Sequence, residues 1–283
     1  MNNRKGTFSR GLLNAPYVIW SLVFILIPLV FVVYYSFFDL ESGRFTLEYV
    51  KIFFTKPMYV KAFGISLLYS LIATAISLVI AYPFAYFLSR KKPASQSVQM
   101  ILIMLPMWMN MLVRTYSWTT ILEGNGLINN LLELVGIGPV TMLGTGGAVV
   151  LGMVYNYLPY MILPIYTGMS KIGQPLLEAA EDLGCNGFQK LKRVIMPLSL
   201  SGVISGIIMV FVPSISTFYI SQKMSNGKVV LIGDLIEQQI KEFWAAGGLN
   251  RGAAMSFVLM LIILLCTFVM NRFTDDDEGG MII

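Results

Sequence analysis

Six stretches of the chain, roughly 12–38, 62–89, 98–122, 144–170, 199–222 and 252–271, are each at least 20 residues long and almost wholly apolar. One charged side chain, Arg114, lies within all of them together. A helix needs about 20 apolar residues to cross some 30 Å of hydrocarbon, so every run is long enough to span a bilayer. Only 12% of the 283 residues are charged, about half the share of a soluble domain. The expected fold is all-α, a membrane protein of six transmembrane helices. The first run follows Arg4, Lys5 and Arg10, as a signal peptide would. It is much longer than an h-region of about 7–15 residues, and it ends in aromatics rather than small residues. It reads as a retained span.

Orientation follows from the loop cations, which favour the cytoplasmic side. One set of loops holds Arg4, Lys5, Arg10, Arg90, Lys91, Lys92, Lys171, Lys190, Lys192, Arg193 and Arg272. The alternate set holds Arg44, Lys51, Lys56, Lys61, Lys223, Lys228, Lys241 and Arg251, and its middle loop has none. The tight Arg90-Lys91-Lys92 turn decides the matter, and both termini are expected in the cytoplasm. This divides the chain into a tail (1–11), a transmembrane domain (12–273) with a polar connection (171–198), and an acidic tail (274–283) holding Asp275, Asp276, Asp277 and Glu278.

Several chemistries are excluded by what the chain lacks. There is no His, which removes every imidazole-based triad and most zinc sites. Cys185 and Cys266 fall in a loop and in a run, so a disulfide is not expected, and two thiols form no metal cage. No carboxylate lies in any run, whereas ion-driven transporters and intramembrane aspartyl proteases place them at membrane depth. Gly144-Thr145-Gly146-Gly147 lacks the lysine of a phosphate-binding loop. No basic soluble face is present for nucleic acid. Energy must come from another polypeptide.

The connection 171–198 is the most polar stretch on the cytoplasmic side. Pro175 suits a first helical turn and Gly184 a C-terminal stop. Leu176, Ala179, Ala180 and Leu183 are expected on one face, with Glu178, Glu181 and Asp182 on another. A second short helix, Gly187 to Ile195, precedes Pro197. On these grounds alone the first helix either docks a partner or merely caps the bundle among lipid headgroups.

The spacing Glu178-Ala179-Ala180, three residues, Gly184, nine residues, Val194-Ile195-Met196-Pro197 resembles the signature of permease subunits of ABC importers. Val194 and Met196 stand where Ile and Leu are more usual. The resemblance implies that the first helix is a coupling helix seated in a groove of an ATPase subunit. Glu178, Ala179, Ala180, Gly184 and Pro197 would be its coupling residues, with Gly184 turning where a Cβ would clash. Further stretches resemble the polyamine branch of that family, which carries spermidine or putrescine: Pro106-Met107-Trp108, Leu112-Val113-Arg114-Thr115-Tyr116, Gly126-Leu127-Ile128-Asn129, Leu231 to Ile236, and Gly252-Ala253-Ala254. The likeness covers roughly residues 15–273. It implies a bacterial cytoplasmic membrane, a second, different permease chain as heterodimer partner, two ATPase subunits and an extracellular or periplasmic polyamine-binding protein. ATP and magnesium would then sit on the ATPase, and this chain would hold no cofactor, no metal and no catalytic residue.

Trp108, Asn110, Tyr116, Tyr155 and Tyr219 are the candidate lining of a substrate path, since π faces and amides suit an alkyl-ammonium. Interfacial belts and helix packing explain such residues equally well. Asp39 and Glu123, at the outer ends of the first and third runs, could attract an arriving cation. Arg114 is expected to snorkel to the outer interface. If it lined the path instead, an importer of an anion or metal (sulfate, molybdate or iron type) would be the better reading. Gly202 and Gly206 form a small-x-x-x-small pair for close helix packing.

Overall fold

A computed structural model of the chain describes residues 16–242 and 247–279. The tail 1–11 with its three cations, the start of the first run, and residues 280–283 lie outside the described residues. Among the described residues all regular elements are helical, with one isolated bridge, Phe38 to Phe45.

The chain forms two compact units. The first comprises residues up to Val60 together with Ile236–Leu261. Helix α1, Pro16–Phe37, contains a π turn at Leu22–Leu26, where Ile27 N–H reaches Leu22 O. Pro28 follows at once; it has no N–H to continue the ladder, and the wider turn absorbs the mismatch. None of the most apolar window of α1 is buried. A turn held by Asp39 leads to α2, Glu48–Thr55. Asn250, 1% exposed, donates to Tyr35 O at 2.8 Å and Phe38 O at 2.7 Å. Phe257 meets Phe37 edge-on at 5.2 Å. These contacts pin the end of α1.

The second unit holds Lys61–Leu235 and the residues from Ile262 on. Helix α3, Pro57–Ser89, has 33 residues. Buried Ser66, Ser70 and Thr74 each donate to the carbonyl four residues back, so the stripe satisfies itself. After α3 come α4, Pro93–Trp108, α5, Met111–Leu122, and α6, Leu127–Leu134. Helix α7, Gly146–Ser170, is the axis of the unit, with Met153, Met161, Ile165 and Met169 fully buried. Two short loop helices follow, α8, Gln174–Asp182, and α9, Gly187–Leu198. Beyond them lie α10, Leu200–Ile215, α11, Tyr219–Ser225, α12, Ile232–Lys241, and α13, Gly248–Gly279.

The main packing is α7 on α10. A Cβ on Gly202 would stand 2.6 Å from Pro164 O, and one on Gly206 would stand 2.8 Å from Met161 Sδ. The glycine pair therefore has the packing role expected of it.

Two runs depart from the expected continuous spans. Among the described residues, four helices are long and apolar enough to cross a membrane, and up to six spans result if each of two bent pairs is one. The third run breaks at Met109-Asn110, and its two halves meet at 89°. Pro106 removes a ladder donor, Met109 is extended, and Asn110 starts α5 afresh by accepting from Leu112 N–H at 2.7 Å. The fifth run ends its helix at Ile215 and restarts at Tyr219, while Gly187–Leu198 meets α10 at 66°. At 16 residues, α10 is about 24 Å long, short of the hydrocarbon thickness. The acidic segment starting at 274 begins as a continuation of α13, whose helix runs on to Gly279.

Candidate functional site

The connection 171–198 folds as two helices joined by a tight turn. Pro175 occupies the first turn of α8. At its end Gly184 N–H donates to Glu181 O at 2.8 Å and Cys185 N–H to Ala180 O at 3.0 Å. This pair of bonds is a Schellman stop, which requires a left-handed residue. Gly184 supplies it, with φ +82. No heavy atom would lie within 4 Å of a Cβ there, so the expected steric clash is absent and backbone conformation alone demands glycine. Asn186 and Gln189 then close a reciprocal capping box, and an ion pair between Glu181 and Lys190 ties α8 to α9.

The apolar face of α8 also differs from expectation. Leu177 and Ala180 are its buried residues. Leu176, Ala179 and Leu183 point outward, Leu183 being 85% exposed, and Phe188 on α9 is 71% exposed beside them in sequence. Leu176 and Leu177 are neighbours, so a slip of one residue, about 100° around the helix, moves the whole stripe. Glu178 is exposed, as is Pro197; Pro197 follows a π turn at Leu191–Ile195 that accommodates its missing N–H.

The candidate path residues are spread over α4, α5, α7 and α11. Trp108 (75% exposed) and Asn110 form the elbow between α4 and α5, with Tyr116 exposed farther along α5. Tyr155 on α7 is half-buried and meets Trp118 edge-on at 5.2 Å. Tyr219 opens α11, and Lys223 Nζ lies 5.9 Å from its ring centroid, so the chain's own cation already faces that ring. Glu123 ends α5 with an exposed side chain.

Asp39 is not a free carboxylate. It accepts from Ser42 Oγ at 2.6 Å, Ser42 N–H at 3.1 Å and Tyr49 Oη at 2.8 Å. The Ser42 and Tyr49 bonds hold its carboxyl below the ordinary range. Burial, and then the bond to Asp39, push Tyr49 up to about 12. Asp39 builds the turn after α1.

Arg114 does not snorkel. It is 8% exposed, and its Nε and Nη1 are buried with no acceptor among the described residues. Asn156, 1% exposed, donates to Gly152 O at 2.9 Å and to Thr115 Oγ1 at 3.5 Å, while its Oδ1 has no partner among the described residues. An unpaired buried guanidinium destabilises the fold, because burial strips its hydration without return. Arg114→Met, similar in length, should therefore raise the thermal stability of the purified chain by about 1–4 kcal/mol. A fall in melting temperature would mean that the guanidinium has a stabilising partner within the chain itself.

Two features were not anticipated. Asn250 pins α1, as described. The stretch Leu231 to Ile236 closes the gap between α10 and α11: a Cβ on Gly233 would stand 2.6 Å from Ser216 O and Thr217 O. Asp234 accepts from Ser221 Oγ at 2.8 Å and reaches back to Leu231 N–H at 2.7 Å, and Ile232 N–H donates to Ser66 Oγ at 2.8 Å. An acid three residues into a helix is the sequence signal for the reach-back half of a capping box.

Among solved structures, the fold is similar to a chain of a bacterial ABC transporter involved in the import of the acidic polysaccharide alginate, with TM-score 0.74 and 15% identity over 95% of this chain and 97% of that one. It is similar also to a chain of the bacterial alginate ABC transporter in complex with a periplasmic protein bound to an alginate pentasaccharide, with TM-score 0.76 and 14% identity, covering 95% of each. At this level of identity the likeness is one of fold.

No family model matches the chain. Curated relatives are more specific. The spermidine/putrescine transport system permease protein PotB of Haemophilus influenzae is 38% identical over 261 residues, 89% of this chain and 90% of the relative. PotB of Escherichia coli K12 is 34% identical over 89% of this chain and 93% of the relative, and the PotB homolog of Mycoplasma genitalium is 26% identical over 88% and 89%. The chain belongs to the PotB family of ABC transport permeases. It is a multi-pass inner-membrane transport permease subunit.

Proposed function

We propose that this chain imports spermidine or putrescine as one half of a permease heterodimer with a second, different permease chain. Two ATPase subunits bind on the cytoplasmic side and hold ATP and magnesium, and an external polyamine-binding protein delivers the substrate. Each bent pair counts as one span, giving six, and both termini are cytoplasmic. Helix α8 is the coupling helix, with Glu178, Ala179, Ala180, Gly184 and Pro197 in the coupling loop.

The observation that carries the coupling role is the outward stripe of Leu176, Ala179 and Leu183, set on the E-A-A and glycine spacing and held in place by a Schellman stop. A stripe of this kind in water needs a cover, and a groove on an ATPase supplies it. The polyamine assignment is supported by the named substrates of the relatives, and by chemistry. A polycation leaving water loses hydration worth several kcal/mol per charge. Buried carboxylates would repay this and then retain it; tyrosines and amides bind moderately and release. Trp108, Asn110, Tyr116 and Tyr155 are proposed as lining on this ground, with Tyr219 and Glu123 as weaker members. Asp39, occupied by Ser42 and Tyr49, is left as a contributor of charge at the outer surface. Arg114 must face away from the path.

The test is ATP-dependent uptake of radiolabelled spermidine by the reconstituted complex. Uptake should saturate and be competed by putrescine, with sulfate and molybdate inert. Transport that ignores excess polyamine but is blocked by an oxyanion would overturn the reading in favour of an anion importer with Arg114 in its path.

A further inference from the structure

The turn between α3 and α4 carries Arg90, Lys91 and Lys92, and its hydrogen bonds reach well beyond the turn. Gln96, in the first turns of α4, donates through Nε2 to Ser89 O at 3.1 Å and Lys91 O at 2.8 Å. Its Oε1 accepts from Tyr166 Oη on α7 at 2.9 Å. One amide thereby closes the turn and fastens it to a helix 70 residues away in sequence. Arg90 makes a second tie. Its Nη1 donates to Ile172 O at 3.3 Å, and its guanidinium lies 5.8 Å from the Tyr86 ring centroid.

The two anchor points, Tyr166 and Ile172, bracket the end of α7. Ile172 is followed by Gly173, the N-cap of α8. At the far end of α4 stands the elbow at Met109-Asn110. Helix α4 itself has 16 residues, a rod of about 24 Å, and its packing on α7 is sparse. One tie joins α4 to α7, and the other joins the turn ahead of α4 to Ile172, two residues before α8. Arg90 has buried Nε and Nη2 groups with no acceptor among the described residues. The arrangement therefore leaves hydrogen bonds to be gained by a shift, so this tie can be exchanged for another when the segment moves, as a bistable element requires.

We infer that Arg90, Gln96 and Tyr166 form a latch that transmits displacement of α8 to α4, and through α4 to the elbow at Met109-Asn110. They are positioning residues and touch neither ATP nor substrate. The inference rests on the reading of α8 as the coupling helix.

The test uses the complete complex in proteoliposomes, with uptake and ATP hydrolysis measured in the same vesicles. Tyr166→Phe removes one hydroxyl and nothing else. Assembly and ATP hydrolysis should be unchanged while uptake falls about five-fold, the effect of one lost hydrogen bond, so that ATP consumed per substrate rises about five-fold. Adding Tyr166→Phe to Gln96→Met should cost nothing further, because the bond is already gone, and Arg90→Lys should retain more coupling than Arg90→Ala. An unchanged ratio in Tyr166→Phe overturns the latch. So does a parallel fall of uptake and hydrolysis with loss of assembly, which would mark a merely structural bond. Gly184→Leu separates the two readings: if it uncouples transport and Tyr166→Phe does not, only the latch fails, whereas normal coupling in Gly184→Leu removes the role of α8 itself.

Discussion

Gly184→Leu should reduce uptake to background while leaving the chain inserted and the membrane helices folded. With φ +82, the position holds any residue with a Cβ at a cost of about 1–2 kcal/mol, and Leu has no side-chain bond to offset it. The Schellman stop is lost first, and α9 no longer leaves α8 at the angle that lets Glu181 meet Lys190. Leu183 and Phe188, the most exposed apolar groups of the loop, then present a different surface. Gly184→Asn, which tolerates the left-handed region, should keep most of the activity, and that contrast isolates conformation from size. Glu178→Leu should act differently, weakening co-purification with the ATPase without disturbing the turn. A Gly184→Leu complex importing at the normal rate would end the coupling assignment.

Gly202→Leu should abolish the folded protein. The added Cβ would stand 2.6 Å from the carbonyl oxygen of Pro164, a backbone atom that yields only if α7 and α10 separate. These helices form the main packing of their unit, so the expected loss is about 4 kcal/mol or more, the range reserved for core disruption. Gly206→Ala should be milder, since its nearest neighbour is Met161 Sδ, the movable part of a flexible side chain. Gly168→Ala should be tolerated, because its Cβ would find ordinary contacts from 3.5 Å outward. Size-exclusion profiles in detergent will rank the three, and a monodisperse Gly202→Leu chain would refute the close approach.

The features readable from the sequence were those set by local rules. Apolar runs located the helices, and Pro175 and Gly184 bounded α8 because proline and glycine act within one turn. The glycine pair Gly202 and Gly206 was legible by spacing alone. The break at Met109-Asn110 was not, since averaged hydropathy passes over one asparagine; Pro106 and the capping character of Asn110 were the available signals. The facing of α8 failed because both Leu176 and Leu177 are apolar and only tertiary contact decides which is covered. Arg114 was misplaced for a related reason. Snorkelling is judged from distance along a helix, whereas its burial depends on neighbouring helices remote in sequence. The links of Tyr166 to Gln96 and of Arg90 to Ile172 join residues 70 and 82 apart, and no periodicity announces them.

The outward stripe on α8 bears on the cell's supply of this chain as much as on its mechanism. A leucine 85% exposed and a phenylalanine 71% exposed, a few residues apart, make a sticky patch on any copy that lacks a cover. Surplus copies are therefore prone to self-association and to capture by chaperones and proteases that bind exposed apolar side chains. Production in step with the proposed ATPase partner is the remedy, and the yield of sound protein should then follow the scarcer of the two.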